Sequence, residues 1–196
     1  MTNLINFMSD KKEAILTVAT ELFSEFGYHA VGVDTVIAKS KVAKMTFYKY
    51  FPSKINLIES VLAARDVTLR AGIGYETNRF KLPLAKIKAI FGWYQHWFSG
   101  LDFHGCMFIK ASEEFPEKGS AIKTISQGHK SWLAQLIQGF LTEYGVKNPR
   151  ELAVHIMIVL DGLTVSCNLC PSDCEKQLTV SWKYVQHLIL SQKKSD

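Results

Sequence analysis

The sequence predicts an all-α protein in which a small N-terminal head of three short helices carries a helix-turn-helix, followed by a larger helical body. Three observations predict it. Apolar residues recur at three- and four-residue spacing in almost every segment, no stretch shows the period of two that a half-buried strand needs, and Gly and Pro interrupt the chain at helix-length intervals. With 196 residues and 47% hydrophobic content, the chain can bury a substantial core, which excludes a disordered protein.

From Asp10 the residues Ala14, Ile15, Val18, Ala19, Leu22, Phe23 and Phe26 draw one apolar stripe down a helix. Asp10 and Glu13 have the spacing of a capping box, and Gly27 supplies a C-terminal stop. A second helix is expected over about 33–40, with Val33, Val36 and Ile37 facing inward and Asp34 in its first turn. A third follows over about 44–51. Pro52-Ser53 ends it and caps the next helix, which carries Leu57, Ile58, Val61 and Leu62. Helical periodicity returns near 84–99, 105–114, 121–144, 149–168 and 175–192, with turn signals at Gly72/Gly74, Pro83, Gly100, Pro116/Gly119, Gly145/Pro149 and Pro171. The predicted division is a head at 8–53, with the helix-turn-helix at about 33–51, and a body at 54–196.

The net charge of +5 is a modest hint of a polyanionic partner. Its placement says more. Between Lys39 and Ile58 stand five lysines (39, 41, 44, 49 and 54) and no acid, while Glu13, Glu21, Glu25, Asp34 and Glu59 nearly cancel them over the first sixty residues. The basicity is therefore a local patch. The opening residues have neither a basic start nor a sustained apolar run, so no secretory leader is expected. The apolar stretch from Ala153 to Leu160 is broken by His155 and stopped by Asp161, short of the roughly 20 residues of a membrane span. A cytoplasmic protein with no membrane partner is the expectation.

Cys106, Cys167, Cys170 and Cys174 are too few and too uneven for a disulfide-built fold, and ordinary reduced thiols are expected. The run Cys167-x2-Cys170-x3-Cys174 also admits an alternative, a redox- or metal-responsive regulator. A closed metal site needs a fourth ligand, and no histidine nearby in sequence supplies one, so no metal or cofactor is predicted. A nucleophile–base pairing, phosphate loop or paired carboxylates would mark an enzyme. None stands out, and the chain is read as a non-enzyme.

A recognition helix must fit the major groove, present polar side chains to base edges and carry flanking groups for phosphates. Lys44, Met45, Thr46, Tyr48, Lys49 and Tyr50 suit that task. Thr46 and Lys49 can hydrogen-bond base edges, Met45 and the Thr46 methyl can meet a thymine methyl, and the tyrosine hydroxyls can reach phosphates. Lys54 at the start of the fourth helix offers an ammonium beside free backbone N–H groups, and Thr35 is a lesser phosphate candidate. Phe47 and Phe51, four apart, belong to the core instead.

These residues also carry a resemblance. The runs Ala19-Thr20-Glu21-Leu22-Phe23-Ser24-Glu25-Phe26-Gly27-Tyr28, Val33-Asp34-Thr35-Val36-Ile37-Ala38 and Val42-Ala43-Lys44-Met45-Thr46-Phe47-Tyr48-Lys49-Tyr50-Phe51-Pro52-Ser53-Lys54 resemble the TetR family of transcriptional repressors. Two positions depart from the family pattern: Lys41 stands where a turn Gly is frequent, and Ala43 where a capping Ser is frequent. Tyr28 is read as structural.

The resemblance implies a homodimeric repressor that binds a palindromic double-stranded DNA operator and is released by a small, largely apolar effector in a ligand-binding and dimerisation body. The stretch from Gly105 to Phe115 resembles one found in such ligand domains. The segment Phe91 to Phe98 is apolar on nearly all sides, so it is either deeply buried or lines a cavity. Trp93, Tyr94, Trp97, Phe103, Cys106, Phe108, His129, Trp132 and Asp161 are the expected pocket residues. Ile156, Leu160, Leu163, Trp182, Val185, Leu188 and Ile189 on the last two helices are the expected dimer interface.

Overall fold

The structure, a computed structural model, describes residues 2–194, with side chains from Asp10 onward. The described residues form nine α-helices: α1 Thr2–Phe26, α2 Val33–Ser40, α3 Lys44–Tyr50, α4 Lys54–Asn78, α5 Pro83–Phe98, α6 Met107–Glu114, α7 Ala121–Tyr144, α8 Pro149–Leu169 and α9 Cys174–Ser191. One antiparallel bridge, Val146 to Lys193, is the extended pairing among them. The all-α prediction holds, and the helix limits lie within one or two residues of expectation in most places.

Two limits differ. α1 begins at Thr2, so Asp10 lies inside the helix and the expected Asp10–Glu13 capping box is not a helix start. Nothing between Thr2 and Asp10 is a Gly or Pro that would stop a helix. Gly72 and Gly74, read as turn signals, lie inside the continuous α4. Gly72 is there for space: a Cβ on it would sit 2.9 Å from the Trp93 indole nitrogen. A third difference concerns α8. Its 21 residues are long and apolar enough, by length and composition, to cross a membrane, and 44% of that window is buried inside the chain.

The chain divides into two compact units, the first holding residues up to Val67 together with Cys106–Gln127, the second Thr68–Gly105 and Gly128 onward. Where the sequence separated a head at 8–53, the head's contacts extend to α6. In the first unit Ile15, Ala19 and Phe23 of α1 lie with Val36, Phe47, Phe51, Leu57, Ile58, Val61 and Leu62 in a core whose members are at most 1% exposed. Gly27 ends α1 with φ +82, the left-handed geometry that favours glycine.

That turn is clasped by α6. The Glu114 carboxylate accepts the backbone N–H of Tyr28 at 2.9 Å and that of His29 at 2.6 Å. One turn earlier on α6, the Lys110 ammonium donates to the Ser24 carbonyl at 2.6 Å, one of the terminal carbonyls that α1 itself leaves without a helical partner. Burial lowers the pKa of Lys110, while Glu114 and Cys106 pull it back up. Tyr28 is fully buried, and its hydroxyl donates to the Met107 carbonyl at 2.9 Å. Burial pushes that phenol well above its ordinary pKa, followed by Cys106 and Glu114 and opposed by Arg65, so it stays protonated as a donor. Gly27 also leaves room for the clasp, because a Cβ there would stand 2.8 Å from Glu114 Oε1.

The second unit is built around Ile87, Ile90, Leu133, Ile137, Leu152, Ile156, Leu160 and Ile189. Its aromatic residues pack on one another: Trp97 meets Phe103 at 5.1 Å, Tyr94 meets Phe98 at 5.6 Å, and Phe91 meets Trp182 at 5.2 Å between ring centres. Lys130 of α7 is ion-paired with Asp161 of α8. The Arg70 guanidinium lies over the Trp132 ring at 4.8 Å, within cation–π range. The cysteines depart from the expected reduced thiols. Cys167 and Cys174 form a disulfide, with Cα atoms 4.8 Å apart, while Cys106 and Cys170 are free. The Pro171–Asp173 turn brings the first residue of α9 back beside the last turn of α8, within the Cα separation a disulfide requires.

Replacing Glu114 by Ala is expected to lower stability by about 1–3 kcal/mol, since it strands two backbone donors beside a cation. Glu114→Gln, which keeps an acceptor, should cost less. Urea unfolding of both variants checks this, and equal midpoints for Glu114→Ala and the parent chain would refute the clasp.

Candidate nucleic-acid interface

Helices α2 and α3 are joined by a turn at Lys41 with φ 55, the one positive φ at a non-glycine residue among those described. The Lys41 N–H is held by the Ala38 carbonyl at 3.4 Å. Ala43 precedes α3 in an extended conformation without a side-chain cap. Both departures from the family pattern therefore preserve the turn, at the cost of a left-handed Lys and an uncapped helix start. Such costs are about 1–2 kcal/mol and about 0.5–2 kcal/mol.

α3 separates its faces sharply. Phe47 and Phe51 are buried at 0% and 1% exposure, whereas Met45 stands at 86% and Tyr48 at 43%. Lys44 and Lys49 are exposed with them, Thr46 and Tyr50 are half-buried, and Thr35 is exposed on α2. Phe47 supports the outer face, with the Tyr48 ring edge-on to it at 5.3 Å. This leaves a short helix whose apolar side is anchored and whose outer side bears hydroxyls, ammoniums and a thioether, the groups that base edges and phosphates require.

Two of the expected lysines already have partners. The Lys44 ammonium donates to Asp34 Oδ1 at 3.1 Å across exposed surface, and this hydrogen bond raises its pKa. Sequence spacing did not reveal the pair, because ten residues and a turn separate its members. Lys54 donates to the His29 carbonyl at 3.3 Å. Burial lowers its pKa and Glu114 raises it. The start of α4 is capped as expected, by Ser53 Oγ accepting the Asn56 N–H at 3.1 Å.

The expected pocket residues fall in both units. Cys106 and Phe108 belong to the first, at 8% and 1% exposure. Trp93, Tyr94, Trp97, Phe103, His129, Trp132 and Asp161 belong to the second. There Trp93, Tyr94, Trp97 and Phe103 form one aromatic chain, His129 is 3% exposed with its ring 6.2 Å from Trp132, and Asp161 holds Lys130. A groove of about 510 Å³ beside this chain is lined by Phe80, Ala89, Trp93 and His96, with Glu76 and Lys88 among its polar groups.

The residues expected at a dimer interface are placed differently. Ile156, Leu160, Leu163, Val185 and Ile189 lie in the chain's own core at 5% exposure or less, and Trp182 and Leu188 pack against it. The five core residues have little area left to offer a second copy, whereas Trp182 and Leu188 are half-buried. The opposite face of α8 carries exposed Val154, Ile158, Val165 and Leu169, and α9 adds Val180 and Tyr184. The missed signal was that α8 is apolar on both faces, which a one-sided surface helix is not.

Comparison with known proteins agrees with this geometry. Residues 15–61 match the family model described as bacterial regulatory proteins, tetR family. The HTH-type transcriptional regulator YuxN of Bacillus subtilis is 38% identical over 159 residues, covering 80% of this chain and 53% of that protein. The HTH-type transcriptional activator FasR of Mycolicibacterium smegmatis is 30% identical over 92 residues, covering 44% of this chain and 42% of its own length. The chain thus spans about half the length of these curated relatives. Among solved structures, the TetR-family regulator SCO4454 of Streptomyces coelicolor superposes with a TM-score of 0.89 at 22% identity, covering 95% of this chain and 97% of that one. A TetR regulator from Legionella pneumophila gives 0.75 at 20% identity, covering 93% and 97%. The matched proteins are transcriptional regulators rather than enzymes. Residues 15–61 thus match the tetR family of bacterial regulatory proteins, and the all-α architecture of the chain is that of solved TetR-family regulators.

Proposed function

We propose that the chain is a cytoplasmic DNA-binding transcriptional regulator, acting as a homodimer on a palindromic operator and released from it by a small, largely apolar effector. The observation that carries this reading is the division of α3, with Phe47 and Phe51 buried beneath an exposed row of Lys44, Met45, Tyr48 and Lys49. Two such helices would read two half-sites one helical turn apart. The exposed stripe of Val154, Ile158, Val165, Leu169, Val180 and Tyr184 supports pairing with a second copy. The groove beside Trp93 has the size and apolar lining that suit a small molecule.

Release follows from linkage, since an effector that favours the DNA-incompetent state must weaken operator affinity by the same factor. Repression rests on the family resemblance, and because one relative is named an activator, a reporter assay with the operator upstream decides the direction. Regulation through the cysteines is not the favoured input.

The reading is tested by binding to DNA from around the chain's own gene over a range of salt concentrations. Affinity should fall steeply with salt. Salt-insensitive binding, or none, would sink the proposal. Tyr48→Ala and Lys49→Ala should each weaken operator binding while leaving the free energy of unfolding within about 0.5 kcal/mol of the parent. Asp34→Asn should tighten binding several-fold at low salt by freeing Lys44, as a fluorescence-anisotropy titration can show. Ile158→Glu combined with Val165→Glu should give a monomer in analytical ultracentrifugation, and a persistent dimer would move the interface elsewhere.

A further inference from the structure

The two sulfurs joined across the α8–α9 turn differ in access. Cys167 is 1% exposed within the core of the second unit. Cys174, the first residue of α9, is half-buried and lines a cleft of about 470 Å³ between α5 and the start of α9. Gln95, His96, Ser99 and Glu175 give that cleft polar walls, and Phe98 and Leu178 give it an apolar side. Cys170, between the bonded pair in sequence, is exposed and free.

We propose that the Cys167–Cys174 disulfide is an exchange-active bond, opened by a low-molecular-weight hydrophilic thiol that enters this cleft and attacks Cys174 Sγ. Thiol–disulfide exchange requires a thiolate to reach one sulfur of the bond, and access decides which sulfur is taken. Burial closes Cys167 to an incoming group, whereas Cys174 borders a cleft large enough for a small peptide thiol and lined with hydrogen-bonding partners for its polar groups. In the first step the incoming thiolate forms a new bond to Cys174 Sγ, and the electron pair of the old bond leaves on Cys167 Sγ, which takes up a proton. A second thiol then attacks the small-molecule sulfur and departs with it as a low-molecular-weight disulfide, leaving Cys174 as a thiol once protonated. Two small thiols are oxidised to one disulfide while the protein bond is reduced, and the same steps run backwards remake it.

The bond lies where the exchange has a structural effect. Ser166, Asp173 and Lys176, neighbours of the two cysteines, line the groove between α8 and α9, so opening the bond removes the covalent cross-link beside that groove and leaves core packing and the Pro171–Asp173 turn. The proposal concerns residues of the second unit alone and stands whether or not the chain binds DNA.

The test uses full-length protein in its oxidised form carrying Cys170→Ser, which removes the exposed competing thiol. It is treated with reduced glutathione, quenched in acid and mapped by mass spectrometry after alkylation of free thiols. The expected intermediate has glutathione on Cys174 and the alkyl group on Cys167. Glutathione on Cys167 instead, or equal labelling of both, would overturn the proposal. A second variant tests the cleft. Gly92 lines it, and a Cβ there would meet nothing within 4 Å, so Gly92→Leu should fill the cleft and slow exchange by tenfold or more in the folded protein, with no difference under denaturing conditions. Exchange unchanged in folded Gly92→Leu would show that the cleft is not the route. Fully reduced protein that fails to form the bond in oxidised glutathione would show that the pair is not exchange-active.

Discussion

The Glu114 carboxylate, seated on the two backbone N–H groups that follow α1, is the contact on which the geometry of the first unit rests. A helix that ends at a left-handed glycine leaves carbonyls behind the turn and amide donors ahead of it. α6 meets both with opposite charges one turn apart, Lys110 on the Ser24 carbonyl and Glu114 on the Tyr28 and His29 donors. Each side chain faces the polarity it complements, so neither is a buried charge without a counterpart. The turn so fixed leads into α2, and α2 with its left-handed Lys41 sets the entry into α3. The direction in which Tyr48 and Lys49 face is therefore inherited, through two turns, from a contact between residues 85 and 86 apart in sequence.

That separation explains how much of the molecule was legible before its structure. Periodicity and caps are local properties, so the helices of the head could be read from Ala19, Leu22, Phe23, Val36 and Ser53. The burial of Phe47 and Phe51 followed from four-residue spacing alone. Glu114 and Lys110 looked like ordinary charged residues of a short helix, because nothing local distinguishes a carboxylate that caps another element from one that faces water. The same limit applies to Gly72, whose lack of a side chain reads as a break unless the indole of Trp93 is known to stand against it. Among the site residues, those of α3 could be chosen from chemistry and spacing. The cation pairings of Lys44 and of Lys54 at the start of α4 could not, since Asp34–Lys44 and Lys54–His29 depend on how two turns place their neighbours.

The body shows a different limit. Apolar spacing on α8 and α9 identified residues that must be buried but not what buries them. Ile156, Leu160 and Ile189 satisfy the chain's own core, and the second apolar stripe, from Val154 to Leu169, is the one left facing outward. A helix apolar on both sides has two faces to cover, and the chain's own core covers one of them. The aromatic run from Trp93 to Phe103 illustrates the same point from inside. Its rings were expected either to be deeply buried or to line a cavity, and they pack against one another, with the groove at Trp93 at the edge of the cluster.

The ion pair between Lys44 and Asp34 bears on discrimination more than on strength. A lysine facing bare solvent gains affinity for any polyanion by releasing condensed counterions. Lys44 gains less, because its ammonium must first leave a carboxylate 3.1 Å away. In the proposed complex, meeting a phosphate or a base would be an exchange of one anion for another, with a smaller gain on random DNA. Under the proposed operator binding, a carboxylate held beside α3 would act as a threshold, making non-cognate DNA a poorer competitor without touching a base itself.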